Sequence, residues 1–161
     1  MVVIAVIAVV MGVLLPAFAG LMQGTREQEM RRIAGVLRLI RNEAVLARRN
    51  FRLVFDLDEG GYRVEQQGGD GAYYPRNDPE SLRPHTFPEA FAVQDLMLFG
   101  SDEQTFREGL VAVAVDRSGF VDPFLLHAEV DGEPWTLKVT GFTARVTMES
   151  GYVQELEDDE R

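Results

Sequence analysis

Few side chains of this 161-residue chain could do chemistry, and those few are scattered. Catalysis by acyl or proton transfer needs a base within reach of a nucleophile or an acid. The candidate bases are two histidines: His85 sits among prolines, and His127 falls at an outward-facing position of an expected strand. Ser81, Ser101, Ser118 and Ser150 could each supply a hydroxyl, but none lies in the G-x-S-x-G turn that exposes a nucleophile. With no cysteine there is no thiol nucleophile, no thiolate metal site and no disulfide framework. Asp56-Leu57-Asp58-Glu59-Gly60 begins like a calcium loop, D-x-D-x-G, yet the twelfth position, where a bidentate carboxylate belongs, is Gln67. A hairpin turn demands the same residue types for its backbone, and the turn is the reading adopted. Trp135, the single tryptophan, could stack on a sugar or on a protein, but at the start of a strand it is expected to plug the core. No catalytic, cofactor-binding or metal-binding residue is assigned; the chain is expected not to be an enzyme and to take no cofactor or small-molecule substrate.

The elements are more informative than these residues. Met1 to Met22, MVVIAVIAVVMGVLLPAFAGLM, contains no charged or amide side chain. As a helix rising about 1.5 Å per residue it covers the roughly 30 Å of a bilayer's hydrocarbon. Two readings compete. A signal peptide cut after Ala17-Phe18-Ala19, ahead of Gly20, would leave a free periplasmic binding domain or enzyme. The basic n-region is missing, however, and the apolar run exceeds the usual h-region, which favours a retained anchor over residues 1–24. Gly12, Pro16, Gly20 and Gly24 recur every fourth residue, a stripe of low bulk that would bend the rod or admit a neighbouring helix.

From Thr25 to Arg49 the pattern is amphipathic, with Met30, Ile33, Leu37, Ile40, Ala44 and Ala47 stepping by three and four along one face. Thr25 with Gln28 could form a capping box and restart the helix after Gly24; without a break the two halves make one rod of about 70 Å. Residues 50–153 read as strands. Phe51, Leu53, Phe55 and Leu57 alternate with Arg52, Val54, Asp56 and Asp58, and Tyr62, Val64 and Gln66 continue after Glu59-Gly60-Gly61, giving a hairpin. Further strands are expected over Phe91–Phe99, Leu110–Asp116, Phe124–Val130, Trp135–Thr140 and Thr143–Met148. Within these, LVAVAV from Leu110 reads as a buried central strand. Residues 67–90 lose periodicity and hold four of the seven prolines, so a long, exposed, structureless loop is expected there. The acidic tail 154–161, QELEDDER, is expected to be disordered. The fold class is therefore α+β: a long N-terminal helix packed on an antiparallel β-domain of about seven strands in two sheets.

Charge divides the chain. Residues 1–50 hold seven arginines against Glu27, Glu29 and Glu43, a net of +4, which leaves −14 on the remainder of a chain whose total is −10. A domain of that sign repels phosphate backbones, so no nucleic-acid partner is expected.

The run VVIAVIAVVMGVLLPAF resembles the hydrophobic half of a type IV pilin-like N-terminus. RRIAGVLRLIRNEAVLARRNFRLVFDLDEGGYRVE, VAVDRSG and WTLKVTGFTARVTM resemble the H-class minor pseudopilins of type II secretion, the GspH/FimT-like group. The family's prepilin cleavage glycine, N-methylated phenylalanine and nearby glutamate lie upstream of the valine-rich stretch. The resemblance therefore implies a sequence truncated before that motif. It further implies a pilin-like fold and a structural subunit anchored once in a bacterial inner membrane, with its C-terminal domain in the periplasm. Its partners would be other pseudopilins, met through the N-terminal helix, and secreted cargo. A minor type IV pilin for adhesion or uptake is the alternative within the class; its DNA-uptake form should show a basic surface, which the acidic domain disfavours.

Overall fold

The computed structural model of the protein describes residues 2–100 and 102–156, with side chains from Gly24 onward except Thr25. One helix, α1 (Val2–Ala47), opens the chain and runs 46 residues without interruption, about 70 Å. It does not restart at Thr25. The expected lipid-facing or helix-facing side chains of residues 1–23 lie outside the described ones, and among the described residues no helix is long and apolar enough to cross a membrane. The helix ends where Arg48 turns left-handed at φ 50° and the Arg49 N–H reaches back to the Ala44 carbonyl at 3.2 Å. Glycine commonly fills such a position, because a Cβ there is strained.

Ile33, Leu37, Ile40 and Ala44 are fully buried, as their spacing requires. Each large member contributes about 1.5–3 kcal/mol by leaving water. Val36 and Glu29 join that face, whereas Met30 is only half-buried and Ala47 is exposed, one turn past the last buried contact.

Ten strands follow, three more than expected: β1 (Phe51–Asp56), β2 (Gly61–Gln67), β3 (Tyr73–Pro75), β4 (His85–Thr86), β5 (Phe91–Phe99), β6 (Glu103–Phe106), β7 (Leu110–Val115), β8 (Phe124–Val130), β9 (Glu133–Val139) and β10 (Val146–Ser150). They form two antiparallel five-stranded sheets. The first runs β3-β2-β1-β7, with β4 also pairing β2; the second runs β10-β9-β8-β5-β6. Register sets the core. Phe55 opposes Tyr62 and Val111, and Leu53 opposes Val64 and Val113, so the apolar side chains of three strands share one face. Phe124, Leu126, Ala128 and Val130 of β8 form the matching face of the second sheet, and Phe55 meets Phe124 edge-on at 5.5 Å between centroids. The helix lies against β1 and β7 of the first sheet and β10 of the second, so its buried face closes the core shared by both.

Four expectations are corrected. LVAVAV is not a central strand: β7 is the edge of the first sheet and alternates, with Val111, Val113 and Val115 buried and Leu110, Ala112 and Ala114 exposed. Alanine is apolar by type but small enough to stand in solvent at little cost, so composition could not separate the two cases. Residues 67–90 are not structureless. They carry β3, a short 3-10 turn (Glu80–Leu82) and β4, and they bury Leu82 and Phe87. His127 does not face solvent. It does point away from the core, but that face of the second sheet is covered by the segment after Gly151, leaving His127 1% exposed. That same segment places Leu156 in a second apolar cluster with Met97, Phe99 and Leu125, so the tail is anchored at least that far; residues 157–161 lie outside the described ones.

Candidate functional site

Most of the residues singled out for chemistry are committed to structure. Asp56 Oδ1 accepts the backbone N–H groups of Asp58 and Glu59 at 3.2 and 3.0 Å, and Asp58 Oδ1 accepts that of Gly109 at 3.1 Å, so both carboxylates of the D-x-D-x-G stretch shape turns. Gly60 supplies the left-handed φ of 68° that the first turn needs. Gln67 bonds Asn50 and the Gly71 carbonyl. Among the described residues no cluster of histidine and carboxylate side chains could hold a metal ion. Ser118 donates to Asp116 at 2.5 Å within the turn from Asp116 to Gly119. Burial pushes the Asp116 carboxyl up, but bonds from the Ser118 hydroxyl and from backbone N–H groups outweigh it and hold the group below the usual carboxylate range. Ser81 and Ser150 are exposed, and Ser101 lies outside the described residues.

The two histidines do not converge. His85 Nε2 lies 2.7 Å from Glu29 Oε2, a buried helix carboxylate that also has the Arg32 guanidinium at 4.0 Å. Tyr62 packs beside His85, and burial drives its phenol well above the ordinary range, partly offset by Arg32. With the Arg76–Glu43 ion pair at 3.2 Å, this makes two polar ties between α1 and the segment 67–90. The segment is thereby strapped along the helix, a connection invisible in its own composition.

His127 lies between Asp95 Oδ1, 2.5 Å from Nδ1, and the Val153 carbonyl, 2.6 Å from Nε2, with Tyr152 stacked on its ring at 3.7 Å and donating to Asp95 Oδ2 at 2.7 Å. Nε2 must donate to the carbonyl, which only accepts, and Nδ1 is engaged by Asp95, so neither ring nitrogen is left free. Burial, then the bond to Asp95 and its charge, push the Tyr152 phenol up to about 12, with Arg107 opposing. A groove of about 590 Å³ opens beside this network, lined in part by Arg107, Glu129 and Trp135. What the network can do is hold the C-terminal segment down.

Trp135 is half-buried against the core, and the Arg26 guanidinium sits 3.9 Å above its ring, so it braces α1 near the start of the packed half. Arg41 braces the other end: its Nε donates to the Gly119 carbonyl at 2.9 Å and a terminal nitrogen donates to the Thr143 carbonyl at 3.1 Å. The arrangement is that of a rigid rod clamped along half its length to a β-domain. Its chemistry is that of holding; no nucleophile, base or oxyanion donor set is assembled among the described residues.

No protein-family model matches the chain, and no curated protein matches it. Solved structures do. Two structures of the minor pseudopilin EpsH from the type II secretion system of Vibrio cholerae share the fold with TM-scores of 0.60. They are 19% and 20% identical to this chain, and the match covers 78% and 79% of it and 97% and 94% of the two solved chains. The helix-on-two-sheets architecture of this chain is thus a minor pseudopilin fold, in agreement with the H-class resemblance of its sequence.

Proposed function

We propose that this protein is a structural minor pseudopilin of a type II secretion pseudopilus. Residues 1–24 would hold it once in a bacterial inner membrane and, after assembly, pack against the helices of other pseudopilins. The β-domain would stand in the periplasm and contact neighbouring subunits or cargo, with the strapped segment 67–90 as part of that surface. The observation that carries this reading is the uninterrupted helix whose second half is locked onto both sheets: force or position applied to the apolar half is delivered to the whole domain. Its likeness in fold to EpsH supports it, as does the sequence resemblance at the N-terminal helix. The test is isolation of the mature protein from a secreting host. Recovery in the inner-membrane fraction with residues 1–24 intact, and loss of protein secretion on deletion, are expected. A soluble periplasmic product beginning at Gly20 would overturn the proposal in favour of a signal-cleaved domain.

A further inference from the structure

Between α1 and the turn into β10 runs a groove of about 500 Å³ lined by Ala34, Arg38, Arg41, Thr143, Arg145 and Val146. It holds three guanidiniums and no carboxylate, two from the helix and one from the β-domain, whose residues 51–161 carry a net charge of −14. Several arginines elsewhere are neutralised: Arg52 and Arg63 share Glu65, Arg76 has Glu43, and Arg31 has Glu27. Among the described residues Arg38 and Arg145 have no ion-pair partner, and Arg41 spends its donors on two backbone carbonyls, which leaves its charge uncompensated. Arg41 also fixes the width of the groove, because it ties the helix to the Gly119 turn and to Thr143 on the opposite wall. Three like charges held together without a counterion disfavour one another, and the arrangement is relieved when a carboxylate arrives.

We propose that this groove docks a carboxylate-rich segment of a neighbouring protein subunit. The inference rests on the reading of the chain as an assembly component. Guanidiniums suit the role: they bind carboxylates in planar, bidentate fashion and lose less solvation than an ammonium would. The occupant is a protein segment and not nucleic acid, because a groove this short offers three cations while the rest of the domain repels a polyphosphate backbone. Its position matters too. One wall is α1 itself, so a neighbour seated there contacts the helix and the second sheet together, and the clamp between them becomes part of the contact.

The test uses the full chain in nonionic detergent and a fluorescein-labelled hexapeptide of alternating aspartate and glutamate, read by anisotropy. Binding should weaken at least about tenfold in Arg38→Glu/Arg145→Glu and fall with added salt, as expected for a contact made by charge. Arg41 is left in place because its bonds support the fold. An Arg83→Glu/Arg107→Glu variant, which changes net charge equally on other surfaces, should bind like the unmodified chain, and unchanged melting of both variants checks folding. Equal binding by the groove variant, equal binding of an asparagine–glutamine peptide, or tighter binding of a single-stranded oligonucleotide than of the acidic peptide would each overturn the proposal. None of these results bears on membrane retention or on secretion, so the pseudopilus reading stands or falls separately.

Discussion

Leu37 gives the sharpest test of how the rod is joined to the domain. It is fully buried at the centre of the helix face, flanked by Ile33 and Ile40. Leu37→Ala removes three carbons, which forfeits about 2.4 kcal/mol of transfer energy at about 0.8 kcal/mol each. The cavity left in a core closed on three sides adds to this, so the total should reach about 3–4 kcal/mol, inside the range found for such truncations. Leu46, on the same helix but 85% exposed, is the control: Leu46→Ala should stay within about 0.5 kcal/mol of the parent. Both are measured by urea unfolding of a soluble version beginning at Gly24, followed by Trp135 fluorescence, with the slope against denaturant required to stay constant. For a domain of this size the Leu37 loss corresponds to a fall in Tm of about 10–15 °C. A loss below about 1 kcal/mol, or equal losses for the two leucines, would refute a helix welded to both sheets.

Other outcomes follow from the same geometry. Burial raises the Glu65 carboxyl, but Arg63 and Arg52 more than offset this and hold it below the ordinary range, so its contribution is present above the unfolded-state value and fades as pH falls through the folded one; Glu65→Gln should lower stability at pH 7 and flatten the acid limb of the stability–pH curve, and an unchanged limb would contradict it. Arg48→Gly, at the left-handed helix end, should raise stability by about 0.5–1 kcal/mol in thermal melts; a decrease would show that its side chain, and not its backbone, matters there. Asp95→Asn should loosen the strap held by His127 and Tyr152, giving faster amide exchange over Tyr152 to Leu156 and a loss of about 1–3 kcal/mol; unchanged exchange would mean that Leu156 alone anchors it.

Most of the scaffold was legible because periodicity reports which side of an element is dry. The spacing of Ile33, Leu37, Ile40 and Ala44 identified the buried helix face, and the alternation from Phe51 to Gln66 identified the first hairpin with its turn chemistry. What escaped was long-range. β3 and β4 are three and two residues long and exist because β2 accepts them and because Glu43 and Glu29, far back on the helix, pair with Arg76 and His85. His127 looked outward because nothing in its strand signals that the chain returns over it after Gly151. The arginine groove was hidden for the same reason, since Arg38 and Arg41 meet Arg145 only once the helix lies across the second sheet.

The central claim is that the apolar half of α1 is an assembly element, continuous with a domain it carries. Its most direct test is photo-cross-linking from a benzoyl-phenylalanine placed at Val10 of the full chain, in cells actively secreting through a type II system. Adducts with other pseudopilins that disappear when the assembly motor is disabled are predicted. Cross-links to lipid alone, unchanged by the motor, or a protein from which residue 10 has already been removed would contradict it.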